Sequence, residues 1–92
     1  MDKITFRVHA IQRMFQRSIS ADEVRQVLSI GEVIEDYQDD TPYPSNLILG
    51  WIKGRPIHVV AAYNSEEEEI VVITVYEPDP QQWDQDFRKR IK

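Results

Sequence analysis

The hydrophobic period of this chain changes once: up to Gly31 apolar residues recur at helical spacing, and from Glu32 they alternate with a period of two. Helices therefore precede strands, which is the pattern of an α+β fold. After a short extended lead containing Ile4 and Phe6, residues 7–16 read as a helix with Val8, Ile11, Met14 and Phe15 at core spacing. His9, Gln12, Arg13, Gln16 and Arg17 occupy the complementary side. The second helix has clear punctuation, with Ser20 as N-cap, Glu23 completing a capping box and Gly31 just past the end. Val24, Val27, Leu28 and Ile30 are expected to face inward, and the two helices to form a helical hairpin.

Four strands are expected downstream, over 32–38, 46–53, 56–63 and 69–76. The connections are a loop holding Asp39, Asp40, Pro42 and Pro44, a turn at Gly54, and the acidic run Glu66 to Glu69 at a solvated hairpin tip. Links this short demand an antiparallel meander. Pro78 and Pro80 stop the last strand, and 81–91 is expected to form a closing helix with Trp83 and Phe87 directed inward. The expected architecture is one domain, 1–92, an N-terminal helical hairpin on a four-stranded antiparallel meander with a C-terminal helix (ααββββα). Alternation puts Leu47, Leu49, Trp51, His58, Val60, Ala62, Ile70, Val72, Thr74 and Tyr76 on one face. Ile48, Gly50, Ile52, Ile57, Val59, Ala61, Tyr63, Val71, Ile73 and Val75 fall on the other. The helices are expected on the second, aliphatic face, leaving the first as an open groove. A one-residue bulge would reverse part of this assignment.

Ninety-two residues with 41% apolar content allow one small core. The absence of cysteine excludes a disulfide scaffold, a thiol nucleophile and a cysteine-type zinc site. No apolar run approaches a membrane span and the N-terminus lacks the apolar core of a signal peptide, so a cytoplasmic protein without a membrane partner is expected. The net charge of −5 argues against a protein that coats nucleic acid, but the charge is segregated. Positive charge gathers in 1–17, 53–65 and 87–92, the last holding Arg88, Lys89, Arg90 and Lys92. If these segments meet in space, a local basic surface survives on an acidic protein.

His9 and His58 are the only side chains whose ordinary pKa lies near neutrality. His9, Arg13 and Arg17 share one helical stripe, which places a proton-transfer group beside two fixed cations. An ordinary solvated helix face looks the same, with the arginines paired to acidic residues such as Glu23 or Glu32. His58, between aliphatic neighbours, also fits a satisfied half-buried histidine, Tyr76 and Trp51 fit packing roles, and Trp83 fits a core anchor.

His9-Ala10, Arg13, Arg17, Ile19-Ser20, Glu23-Val24 and Gly31-Glu32-Val33-Ile34, with His58-Val59-Val60 and Ile73-Thr74-Val75-Tyr76 later, together resemble the domain-of-unknown-function family DUF4258. That family looks like a branch of the small bacterial toxins of the RelE and ParE type, which are two helices packed on an antiparallel sheet. The resemblance implies a type II toxin that acts on RNA, alone or on the ribosome, and is held silent by a cognate antitoxin. It implies no metal and no organic cofactor.

Metal-independent RNA cleavage needs a base for the 2′-hydroxyl, positive charge around the phosphate, and an acid for the leaving 5′-oxygen. His9 near a helix N-terminus suits the base, Arg13 and Arg17 the phosphate clamp, and His58 or Tyr76 the acid. Trp51 suits base stacking, with Arg7 and Arg88 as further RNA contacts. The acidic pI near 4.9 runs against RNA binding. The competing expectation is a catalytically inactive protein- or peptide-binding module using the sheet groove or edge, in which His9 and His58 do not converge. A small-molecule sensor would need an enclosed pocket that so short a chain can barely spare.

Overall fold

A computed structural model describes residues 3–41 and 43–91. The elements are β1 (Lys3–Phe6), α1 (Val8–Arg17), α2 (Ala21–Ile30), β2 (Glu32–Tyr37), β3 (Ser45–Ile52), β4 (Arg55–Asn64) and β5 (Glu69–Tyr76). They build two helices and a five-stranded mixed sheet in the order β1-β5-β4-β3-β2. The expected ααββββα order is therefore corrected at both ends. Pro42 of the expected loop and Lys92 of the basic tail lie outside the described residues.

The extended lead is the fifth strand. Ile4 and Phe6 point into the core, and β1 runs parallel to β5, pairing Lys3 with Glu69 and Phe6 with Val72. Without it, β5 would carry an unpaired edge. Thr5 Oγ1 donates to Glu69 Oε2 at 2.6 Å and anchors the pairing.

The helices do not form a packed hairpin. α1 lies over β5, and α2 over β3 and β4. Ser18, in the left-handed region at φ 55°, ends α1 with its N–H turned back to the Met14 and Phe15 carbonyls. The Ser20 capping box is as expected: Ser20 Oγ accepts from the Glu23 amide at 3.1 Å, and Glu23 Oε1 accepts from the Ser20 amide at 2.8 Å. Gly31 follows α2 for a reason other than a left-handed cap, since its φ is −73°. A Cβ there would lie 2.3 Å from the Val27 carbonyl oxygen and 2.8 Å from that of Leu49; one on Gly50 would lie 2.7 Å from Val27 Cγ2. Both glycines let α2 sit directly on β3. At the β3–β4 turn, Lys53 and Gly54 both have positive φ, as a two-residue hairpin loop requires.

The helices cover the face predicted to receive them, where Ala10, Met14, Val24 and Val27 meet Ile52, Ile57, Val59, Ala61 and Val75. On β5 the assignment is partly reversed by a bulge. Val60 pairs with Thr74 and Ala61 with Val72, so Ile73 is the extra residue; Val72 and Ile70 turn into the core, while Val71 and Ile73 turn to the opposite face. A second bulge at Ile34 shifts β2 against β3. α1 also corrects its expected face: only Ala10 and Met14 are buried, while Val8, Ile11 and Phe15 are exposed. α1 rests on β5, next to the β1 edge of the sheet, through the single seam of Ala10 and Met14.

No helix forms over 81–91. Asp79 Oδ1 accepts from the Gln81 amide, and Asp84 Oδ1 accepts from the amides of Asp86 and Arg88, so side chains satisfy donors that a helix would otherwise use. Trp83 pairs with Arg90 in an isolated bridge, and Phe87 has φ 59°. This segment folds across the first face of the sheet, the one opposite the helices. It buries Trp83 to 2% exposure and closes the His58 end of the groove that was expected to be open. Trp83 is thus the anchor expected of it, within a looped segment instead of a helix.

Candidate functional site

The expected site residues lie on two sides of the molecule. His9, Arg13 and Arg17 are exposed on α1, which packs on one face of the sheet. His58, Tyr76 and Trp51 belong to the other face. The sheet stands between the two histidines, so no single cleft joins His9 to His58 and Tyr76.

On α1 the buried seam of Ala10 and Met14 separates two stripes. Val8, Ile11 and Phe15 form an apolar one, and His9, Arg13 and Arg17 a basic one on the roughly opposite side of the helix. The pairing of the arginines sets this helix apart. Arg25 pairs with Asp22, Arg55 with Glu77, Arg88 with Glu32 and Arg90 with Glu35. Arg7, Arg13 and Arg17 have no carboxylate partner among the described residues. The alternatives suggested by the sequence are already engaged, Glu23 in the α2 cap and Glu32 with Arg88. An acidic chain thus leaves its uncompensated guanidiniums at one helix.

Arg7, at the N-terminal end of α1, lines a cavity of about 360 Å³ on the first face, opposite the helices. Ala62, Val71 and Ile73 form its apolar wall, and Asp39, Asp40, Thr41 and Tyr43 its rim. Neither His9 nor His58 lines it.

His58 is fully buried, and both ring nitrogens are engaged. Nε2 lies 2.9 Å from the Phe87 carbonyl oxygen and Nδ1 lies 3.1 Å from the Tyr76 hydroxyl. A carbonyl only accepts, so Nε2 carries the hydrogen, and Nδ1 of the neutral ring accepts from Tyr76. Trp83 stands edge-on to the imidazole at 4.5 Å and Tyr76 at 5.2 Å. Burial pushes the His58 pKa down, with the Phe87 hydrogen bond and Glu35 opposing it and Arg90 reinforcing it. Burial likewise raises Tyr76. With residues 78–91 in place, His58 is a satisfied buried group and Tyr76 a half-buried one bonded to it.

The expected RNA contacts on this side are also engaged. Arg88 Nε donates to Glu32 Oε1 at 2.9 Å, and half-exposed Trp51 meets the Phe87 ring edge at 5.8 Å. The sequence reading missed the group beside them, Glu35, Tyr37 and Arg90. Tyr37 donates to Glu35 Oε1 at 2.5 Å, Arg90 donates to both Glu35 oxygens, and the Arg90 guanidinium lies 4.5 Å from the centre of the Trp83 ring. Burial and the Glu35 hydrogen bond raise the Tyr37 pKa to about 12. For Glu35, burial acts upward, but the bonds from Tyr37 and Arg90 outweigh it and hold the carboxylate below its ordinary range. The recoverable signal was Glu35 and Tyr37 alternating on one strand with a basic tail to come.

Among the described residues no cluster of histidine and carboxylate side chains could hold a metal ion, and no helix is long and apolar enough to cross a membrane. No curated protein and no solved structure matches the chain. Residues 6–77, which hold every helix and strand from α1 to β5, match the family described as a domain of unknown function, DUF4258. By that match, spanning most of its length, the chain belongs to the DUF4258 family.

Proposed function

We propose that this chain is a type II toxin homologue that binds RNA through the basic stripe of α1 and cleaves it without a metal. The observation that carries this reading is the pair of uncompensated guanidiniums at Arg13 and Arg17 on a chain of net charge −5. Arginines without carboxylate partners support this reading, because phosphate neutralisation drives most RNA binding. In this reading Arg13 and Arg17 hold the phosphate and His9 takes the 2′-hydroxyl proton. The 2′-oxygen then attacks phosphorus, and the departing 5′-oxygen takes a proton from water. His58 and Tyr76, the other proposed acids, stand behind the sheet, His58 fully buried and Tyr76 half-buried with its hydroxyl on His58.

The test is bacterial growth with mapping of transcript 5′ ends after induction of the wild type and of His9→Ala. Growth arrest with new cleavage sites that the substitution abolishes is the expected result. Normal growth and unchanged transcripts, with soluble protein confirmed, overturn the ribonuclease.

A second reading, a non-catalytic protein-binding module, is favoured by the exposed apolar stripe Val8, Ile11 and Phe15, the last 89% exposed. That stripe faces away from the arginines. In the toxin reading it is where the antitoxin would sit.

A further inference from the structure

We propose that residues 78–91 form a detachable strap that shuts the first face of the sheet, the one opposite the helices, over the His58–Tyr76 pair. This goes beyond the RNA reading and does not depend on it. The family match spans residues 6–77, so both helices, strands β2 to β5, His58 and Tyr76 fall inside the shared domain and the strap falls outside it. The strap's backbone-to-backbone hydrogen bonds stay within the strap: the Trp83 amide to the Asp79 carbonyl, Asp84 to Lys89, Phe87 to Asp84, and Ile91 to Gln82. It adds no rung to the sheet and can leave as a unit without breaking a strand pair.

What holds it is short and specific. The Phe87 carbonyl takes the outward-pointing hydrogen of His58 Nε2, Trp83 packs on the imidazole, and Arg88 and Arg90 reach Glu32 and Glu35 on the edge strand β2. The Arg88–Glu32 pair is about half exposed on both sides and so contributes little. Phe87 holds a left-handed backbone conformation that a bulky side chain rarely adopts, and release relaxes it. Beneath the strap lie an imidazole whose Nε2 donor is freed only when the strap lifts, a phenol, and the buried Leu47 and Leu49. Ala62, four residues from His58 on the same strand face, already floors the open cavity beside Arg7. Lifting the strap joins that cavity and the His58 end into one trough.

The chain's two histidines make the test direct, because exposed His9 serves as internal reference for buried His58. Carbethoxylation by diethyl pyrocarbonate is followed at each imidazole in the full chain, in a chain ending at Glu77, and in the Arg88→Ala, Arg90→Ala double variant. Circular dichroism and amide dispersion report the fold. The expected result is a folded shortened chain in which His58 reacts about as fast as His9, and a folded double variant in which it reacts at least about threefold faster than in the full chain. Unchanged protection of His58 in the folded double variant overturns the strap, as does loss of the fold on shortening, which would make 78–91 part of the core.

Discussion

The Phe87 carbonyl oxygen accepts a hydrogen bond from His58 Nε2 at 2.9 Å, across 29 residues of sequence. One contact thereby fixes the tautomer of the imidazole, leaves Nδ1 to the Tyr76 hydroxyl and ties the C-terminal segment to the middle of β4. The histidine that the sequence offers as an acid is instead neutral, buried and structural in the closed form.

Acid should weaken the fold through this histidine. Burial lowers the folded-state pKa of His58 below the unfolded value, so the unfolded chain binds the extra proton first. Its stabilisation is fully present above the unfolded pKa of about 6.5 and is lost as pH falls from there toward the folded pKa, at up to about 1.4 kcal/mol per pH unit. Glu35 and Glu23, both lowered, add their loss in the more acidic carboxylate range. Urea unfolding between pH 5 and 7.5 should show a slope above the carboxylate range that His58→Gln removes; an unchanged slope in that variant sinks the assignment.

Alanine at either helix–sheet glycine should destabilise the fold without touching α1. Gly50→Ala brings a Cβ against Val27 side-chain atoms and should cost about 1–3 kcal/mol by overpacking. Gly31→Ala meets backbone oxygens, which cannot swing away, and should cost more. Chemical denaturation checks the order, and a smaller cost at Gly31 would contradict it.

Core truncations should separate the two faces. Ile57→Ala, between helices and sheet, should cost about 2–5 kcal/mol, as for a closed core. Trp83→Ala should cost global stability less than the roughly 3–5 kcal/mol usual for a buried tryptophan, because the strap undocks before the sheet unfolds. An equal loss at both sites, measured by denaturant titration, would mean that the strap and the sheet unfold together.

The basic stripe should carry RNA affinity. Arg13→Glu with Arg17→Glu should weaken binding of a single-stranded oligoribonucleotide and flatten its salt dependence by about 1–2 in the log–log slope. Arg25→Glu, whose partner is Asp22, should change binding far less. Fluorescence anisotropy across salt concentrations distinguishes the two variants, and equal effects would leave no role for the stripe.

Local rules made much of the fold legible. The Ser20–Glu23 capping box, the period change at Glu32, the Lys53–Gly54 turn and the three antiparallel pairings are set by neighbours in sequence, where backbone sterics and short-range hydrogen bonds decide. The unpartnered arginines of α1 were visible as a basic run, but that they lack partners depends on where every carboxylate falls in space. Tertiary structure alone decided that residues 3–6 join β5 in parallel, that Ile73 bulges and turns Val72 inward, and that α1 buries only Ala10 and Met14. It also decided that 78–91 loops across the sheet, because there Asp79 and Asp84 satisfy local amides while Trp83 and the Phe87 carbonyl find their partners on β4. Sequence period reports which face of an element is apolar. What covers that face is settled by contacts between residues far apart in the chain.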